Sequence, residues 1–304
     1  MNFGQHTSDQ EAHAIMDKAL DRGVNLFDTA DIYGGRLGEG VTERIIGEWL
    51  AQDSSRRDRI VLATKAFGPM GRDRNSARLT ALHIRRACED SLRRLRTDRI
   101  DLLQMHHIDR VTPWEETWQA LELLVTQGKV LYVGSSNFAG WHLARTQERA
   151  ERRGLLRLVT EQSVYNLMQR TVELEVLPAC RDYGMGLLPY SPLNGGLLAG
   201  AAARADGGKR TAVPKARRLL EAEGERLAAY EQWCGKIGAA PAAVALAWLL
   251  HQPGVTAPVV GPRTLEQFDG ALAALKLSLD SAQLADLDEM FPGPGGAAPE
   301  AYAW

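Results

Sequence analysis

Cysteine is scarce in this chain, with three residues in 304. Cys88, Cys180 and Cys234 lie far apart and form no C-x-x-C pair. Neither a disulfide framework nor a zinc knuckle is indicated, and the three read as packing thiols in a reducing compartment. An excess of one charge is also lacking: 36 Lys and Arg stand against 38 Asp and Glu, a formal net charge of −2. The longest basic clusters, "SRRDR" and "RRLR", are interrupted by acidic or apolar residues. Without a basic field to attract a phosphate backbone, nucleic acid is not an expected partner. No apolar run approaches the roughly 20 residues that span a bilayer. The N-terminal "MNFGQHTSDQ" has no basic region followed by an apolar stretch, so no membrane partner and a cytoplasmic location are expected. The chain also lacks a G-x-G-x-x-G after a strand, a G-x-x-x-x-G-K-[ST] loop and an H-E-x-x-H pair, which removes support for a Rossmann dehydrogenase, a P-loop enzyme and a zincin.

What the chain does have is an apolar content of 45%, enough for a large core, and a regular alternation of two kinds of segment. The strand-like stretches are "VNLFDTA", "IVLATKAF", "RIDLLQMH", "KVLYVGSSN", "RLVTEQS", "GMGLLPYS" and "APVVG". Between them run amphipathic stretches such as "SDQEAHAIMDKALDRG", "TALHIRRACEDSLRRLR", "PWEETWQALELLVTQG" and "TVELEVLPACRDYG". Such alternation predicts βα units on a parallel sheet. The strands are apolar on both faces, as a barrel with an outer ring of helices requires. No Pro/Ser-rich linker separates two halves, so residues 1–304 read as one domain. Two stretches break the rhythm: residues 194–215, a Gly/Ala/basic segment expected to be a lid loop, and the tail 292–304.

In a parallel barrel the reactive groups stand at the C-terminal ends of strands. Those positions hold Asp28 with Tyr33 just beyond, Lys65, His106, Ser136 and Asn137, Gln162, and Tyr190. A carboxylate, a lysine, a phenol and an imidazole from separate strands would converge on one rim. A phenol with a free pKa near ~10 is a poor acid at neutral pH, but an ammonium beside it stabilises the phenolate. Lys65 can supply that ammonium, and Asp28 is the carboxylate a buried ammonium needs. An imidazole can orient a carbonyl oxygen by hydrogen bonding. Strand alternation puts Leu102, Gln104 and His106 on one face and His107 on the other, so only one of the adjacent histidines can join the rim, and His106 is the expected one. The same alternation argues against a metal held by both, and no metal site is expected.

These motifs carry a resemblance. "FDTADIYG", "ATK", "DLLQMHHID", "GSSNF", "EQSVYN", "PYSPLNGGLL" and "GPRTLEQ" stand in the order and spacing of the aldo-keto reductases, over nearly the whole chain. The resemblance implies a (β/α)8 TIM-type barrel and an NADPH-dependent oxidoreductase that reduces a small aldehyde or ketone. It implies a catalytic tetrad of Asp28, Tyr33, Lys65 and His106. It further implies that Ser136, Asn137 and Gln162 hold the nicotinamide carboxamide of NADPH or NADP+, and that Tyr190 stacks on its ring. Ser191, Leu193, Gly195 and Gly196 would line the pyrophosphate, Arg263 would contact the 2′-phosphate and Gln267 the adenosine. An Asn common one turn further on is here Ala271. Ile32, Trp114, Tyr165 and the 194–215 segment are the expected determinants of substrate choice. An alternative on the same fold is a regulatory or sensor subunit, resembling the potassium-channel β subunits, that binds NADPH with little turnover. Relatives usually carry a hairpin and a first strand ahead of "MNFG", so the first barrel strand is expected to be missing from this chain.

Overall fold

A computed structural model describes residues 1–34, 38–154, 157–200 and 214–303. Six strands form one sheet in the order of the chain: β1 (Leu26–Asp28), β2 (Val61–Ala66), β3 (Ile100–Met105), β4 (Val130–Ser136), β5 (Thr160–Val164) and β6 (Gly186–Tyr190). The pairings β1–β2, β2–β3 and β3–β4 are parallel. Helices alternate with the strands: α1 (Asp9–Asp21), α2 (Val41–Gln52), α3 (Ala81–Leu95), α4 (Trp114–Thr126), α5 (Gly140–Arg152) and α6 (Val176–Asp182). This is the architecture of a (β/α)8 barrel, with six of its strands formed among the described residues. No strand precedes β1 among the described residues; in the N-terminal segment an isolated bridge joins Phe3 and Thr7, and Asn2 and Thr7 donate to the Gly261 and Arg263 carbonyls.

Contacts divide the chain into two compact units, and the boundary falls inside β5. The first comprises Met1–Phe138, His142–Glu161 and Gly261–Leu265. Its strands β2 and β3 are buried almost throughout, which explains why their sequences show apolar runs rather than alternation. Beside β1, Phe27 stacks on Trp49 at 5.2 Å, and the Trp49 indole donates to Asp17 at 2.8 Å, docking α1 and α2. Helix starts follow the side-chain capping that the sequence offers. Ser8 and Glu11 form a reciprocal capping box on α1, and Thr80 caps α3.

The second unit comprises Ala139–Trp141, Gln162–Val260 and Glu266–Trp304. Here "APVVG", expected as a strand, forms none. Val255 bridges to Leu187, and the Thr256 and Val259 N–H groups donate to the Leu187 and Pro189 carbonyls at 2.9 and 2.8 Å. Pro258 lies between those two donors and has no N–H to give, which interrupts the ladder. "TVELEVLPACRDYG" likewise splits into a 3-10 turn at Thr171–Glu173 and the short α6, in which Pro178 is the third residue. Proline is tolerated only in a first turn, so the helix starts just before it.

Of the expected lid, Asn194–Ala199 is a 3-10 segment, residues 201–213 lie outside the described residues, and α7 (Pro214–Lys236) starts at a proline. The rest of the unit is α8 (Pro241–His251), α9 (Leu265–Leu272), α10 (Ser281–Met290) and α11 (Glu300–Ala303), with the first residue of α9 in the other unit. In α8 the run Ala243–Leu249 is buried, with Trp248 edge-on to Tyr165 at 5.3 Å. The tail is tied down: the Ala298 N–H donates to the Leu174 carbonyl at 2.9 Å.

Candidate active site

The first unit gathers Asp28, Tyr33, Lys65 and His106. Register explains how. Asp28 at the end of β1 lies opposite Ala63, and Lys65 lies opposite Gln104. Inside this face Lys65 is almost fully buried, and its Nζ donates to Asp28 Oδ2 at 2.6 Å, to the Thr29 carbonyl at 2.8 Å and to Tyr33 Oη at 3.4 Å. The Tyr33 and His106 rings meet edge-on with centroids 5.6 Å apart. His107 is exposed and tilts against Phe67 at 5.5 Å, away from this cluster's hydrogen bonds.

Electrostatics refine the expectation for the phenol. Burial is the largest influence on Tyr33 and raises it above the ordinary tyrosine range; the Lys65 cation opposes that rise without cancelling it. Burial alone would push the Lys65 ammonium down, but the attraction of Asp28 and Tyr33 together outweighs it and the group stays protonated. His106 is pushed down to about 4, first by burial and then by the Lys65 charge, so its imidazole is neutral at physiological pH. The resting site is therefore a neutral phenol, an ammonium and a neutral imidazole, rather than a phenol already close to ionising.

The remaining expected residues are placed as follows. Ser136, at the end of β4, is buried, and the Asn137 amide donates to Ser136 Oγ at 2.9 Å and to the His106 carbonyl at 3.1 Å. Asn137 has φ of 60°, which turns its side chain out of the strand direction. In the second unit, Gln162 is buried in β5, and Tyr190 is half-buried at the end of β6. Ser191, Leu193, Gly195 and Gly196 follow directly, with positive φ at Ser191 (53°), Asn194 (45°), Gly195 (69°) and Gly196 (101°). That run of left-handed residues is a conformation glycine adopts without strain and one that turns backbone amides into a concavity. Arg263, in the first unit, is half-buried, and its carbonyl accepts from Thr7 Oγ1 at 3.3 Å. Gln267 is exposed on α9, in the second unit.

Tyr165 is a correction. It is fully buried and its hydroxyl donates to Glu173 Oε1 at 2.7 Å, so it packs the core of the second unit and is not a rim residue for substrate choice. Ile32 and Trp114 are partly exposed.

Several supporting residues were not singled out from sequence. Gln104, fully buried, donates to Asp28 Oδ1 at 2.9 Å. Glu161, also fully buried, accepts from Ser135 Oγ at 2.5 Å and from the Phe138 N–H at 3.1 Å, bracketing Ser136 and Asn137. Asp109 is held down to about 2; burial works against this, but the Leu79, Val111 and Thr112 N–H groups and the Thr112 hydroxyl all donate to it and win. It pins the loop after β3 to the loop after β2. A polar residue on a barrel-facing position was the available signal for Gln104; nothing in the sequence alone marks the other two as anchors.

Comparison with known proteins identifies the family. The model of the aldo/keto reductase family matches residues 1–291, and the chain belongs to that family. It is 51% identical over 308 residues to the uncharacterized oxidoreductase YrpG of Bacillus subtilis, covering all of this chain and 94% of that one. It is 35% identical over 295 residues to the norsolorinic acid reductase stcV of Emericella nidulans (93% of this chain, 72% of that one). The versiconal hemiacetal acetate reductase of Aspergillus parasiticus is 32% identical over 310 residues (93% and 88%).

Proposed function

We propose that this oxidoreductase reduces the carbonyl group of a small aldehyde or ketone to an alcohol at the expense of NADPH, with Tyr33 as the general acid. The observation that carries the reading is the Asp28–Lys65–Tyr33 chain, in which one fully buried ammonium touches both a carboxylate and a phenol. The residues present fit the cofactor. Within the first unit Ser136 and Asn137 offer hydroxyl and amide groups suited to a carboxamide; within the second, Gln162 offers an amide and Tyr190 a ring face. The left-handed run through Gly195 and Gly196 suits a pyrophosphate, and the Arg263 guanidinium suits a 2′-phosphate. Bound NADPH would supply the hydride that the carbonyl carbon takes up.

This chain's own residues then handle the oxygen. Tyr33 and the neutral His106 donate hydrogen bonds to it, which polarises the carbonyl and fixes its orientation. As the oxygen gains the electron pair of the broken π bond, the Tyr33 O–H bond breaks and its proton passes to that oxygen. The phenolate left behind keeps the Lys65 ammonium as its partner, and Asp28 keeps that ammonium in place. A phenol held above its usual pKa is still more acidic than the alcohol that forms when the alkoxide takes its proton, so the transfer runs downhill while the resting site holds its proton.

The test is single-turnover oxidation of bound NADPH by reactive aldehydes, in parent and in Tyr33→Phe. The variant should bind NADPH nearly as well and lose a factor on the order of 10² to 10⁴ in rate, the usual share of a positioned acid. Parental rates in Tyr33→Phe would remove the phenol from the mechanism. A parent that binds NADPH yet oxidises it with no carbonyl compound would instead favour a sensor role.

A further inference from the structure

The strand that leads into His106, β3, carries a buried amide that the proposed chemistry leaves unused. Gln104 is fully buried on β3, and its Nε2 donates to Asp28 Oδ1 at 2.9 Å, while Lys65 donates to the other oxygen, Oδ2, at 2.6 Å. The carboxylate is thus gripped at both oxygens, from two different strands. Because β2 separates β3 from β1, the Gln104 side chain must reach across the inside of the sheet to make its bond. The room for it comes from Gly134, its register partner on β4: a Cβ there would stand 3.1 Å from Gln104 Cγ and closer still to the Thr160 hydroxyl. Side-chain length, burial and the gap beside it all favour this contact.

We propose that Gln104 is a positioning residue of the reductase: it fixes the Asp28 carboxylate in the orientation that holds Lys65 against Tyr33. The inference rests on the reading of Tyr33 as proton donor. An amide suits the task because it donates without adding charge. A second ammonium would demand a second buried carboxylate, and an ionised carboxylate would repel Asp28. A methionine has nearly the same length and volume but no donor, so Gln104→Met removes the bond with little change in packing.

The experiment measures kcat, KM and NADPH affinity from pH 6 to 8.5 in the parent, Gln104→Met and Gln104→Glu, with thermal melting of each. Gln104→Met should hold NADPH within about twofold and lose roughly tenfold in kcat, the scale of one hydrogen bond to a charged group. Gln104→Glu should exceed Gln104→Met at pH 6, where a protonated acid donates to Asp28 as the amide does. It should fall below it at pH 8.5, where two carboxylates face each other. Parental kcat in Gln104→Met overturns the proposal, as do equal losses in the two variants at every pH, which would mark a packing role. A parent without carbonyl-dependent NADPH oxidation overturns the reductase reading and this inference with it; an active parent with insensitive Gln104 variants overturns this inference alone.

Discussion

Asp28 and Asp31 stand three residues apart in "FDTAD", and the fold treats them in opposite ways. Asp28 ends β1 with Lys65 on one oxygen and Gln104 on the other. Asp31 is fully buried in the turn beyond, where neither of its oxygens makes a well-formed hydrogen bond among the described residues and the Ile32 N–H and the Arg94 and Lys65 charges only partly offset its burial. Burial, and then the nearby Glu43, raise its pKa to about 7. Glu43 itself is buried but provided for, accepting from the Thr64 hydroxyl and from Arg94 Nε, both at 2.6 Å. The hydroxyls of Thr29 and Thr42 are likewise buried, without a partner among the described residues. One side of this turn is thus a completed ionic network, and the other holds polar groups taken out of water with only weak compensation. Carboxylates so close in sequence should therefore respond to mutation with opposite signs.

The largest effect belongs to Asp28. Asp28→Asn leaves the Lys65 ammonium buried with no anion on it, and breaking one side of a buried pair costs about 3 to 5 kcal/mol. Urea unfolding at pH 7 measures this directly. A loss under about 1 kcal/mol would mean that the pair is stabilised little more than a surface one.

Asp31 should run the other way, through pH. Its carboxyl is ionised in the unfolded chain above a pKa of about 3.9 but stays protonated in the folded one until about 7. Between those values the folded state holds the extra proton, so raising the pH favours unfolding, and the penalty levels off above the folded value. Asp31→Asn abolishes the titration. The stability of the variant relative to the parent should climb by roughly 1.4 kcal/mol per pH unit between pH 5 and 7. Stability curves that stay parallel over that range would show Asp31 to be ionised and compensated.

How much of this was legible beforehand follows the same division. The strand ends were readable because apolar runs closing on a polar residue have one address in a parallel barrel, and Asp28, Lys65 and His106 were found on that rule alone. The choice between His106 and His107 followed from the two-residue period of a strand. Gln104 obeys the second rule but not the first: it shares a face with His106 yet stands inside β3 rather than at its end. Asp31 was unreadable for another reason. A strand or turn position gives the direction of a side chain, whereas the weakness of its compensation depends on what α2 and β2 bring near it. The interrupted 257–261 segment and the split of 171–184 were signalled by Pro258 and Pro178, residues that withhold the N–H a ladder or a helix interior needs.

The smallest effect gives the sharpest contrast, because it changes no charge. Thr42 and Thr64 are both buried, and in each a valine substitution exchanges only a hydroxyl for a methyl group. Thr64 Oγ1 donates to Glu43 at 2.6 Å, so Thr64→Val removes a hydrogen bond to a buried carboxylate and should destabilise by about 2 kcal/mol. The Thr42 hydroxyl has no partner among the described residues, so its desolvation is uncompensated in the folded state. Thr42→Val should accordingly stabilise, by about 1 kcal/mol, with the same shape and the same β-branching in place on α2. Denaturant midpoints at one pH, with unchanged m-values, are sufficient to compare the two. If Thr42→Val destabilises as Thr64→Val does, its hydroxyl has a partner such as a buried water, and the contrast between the two sides of this turn disappears.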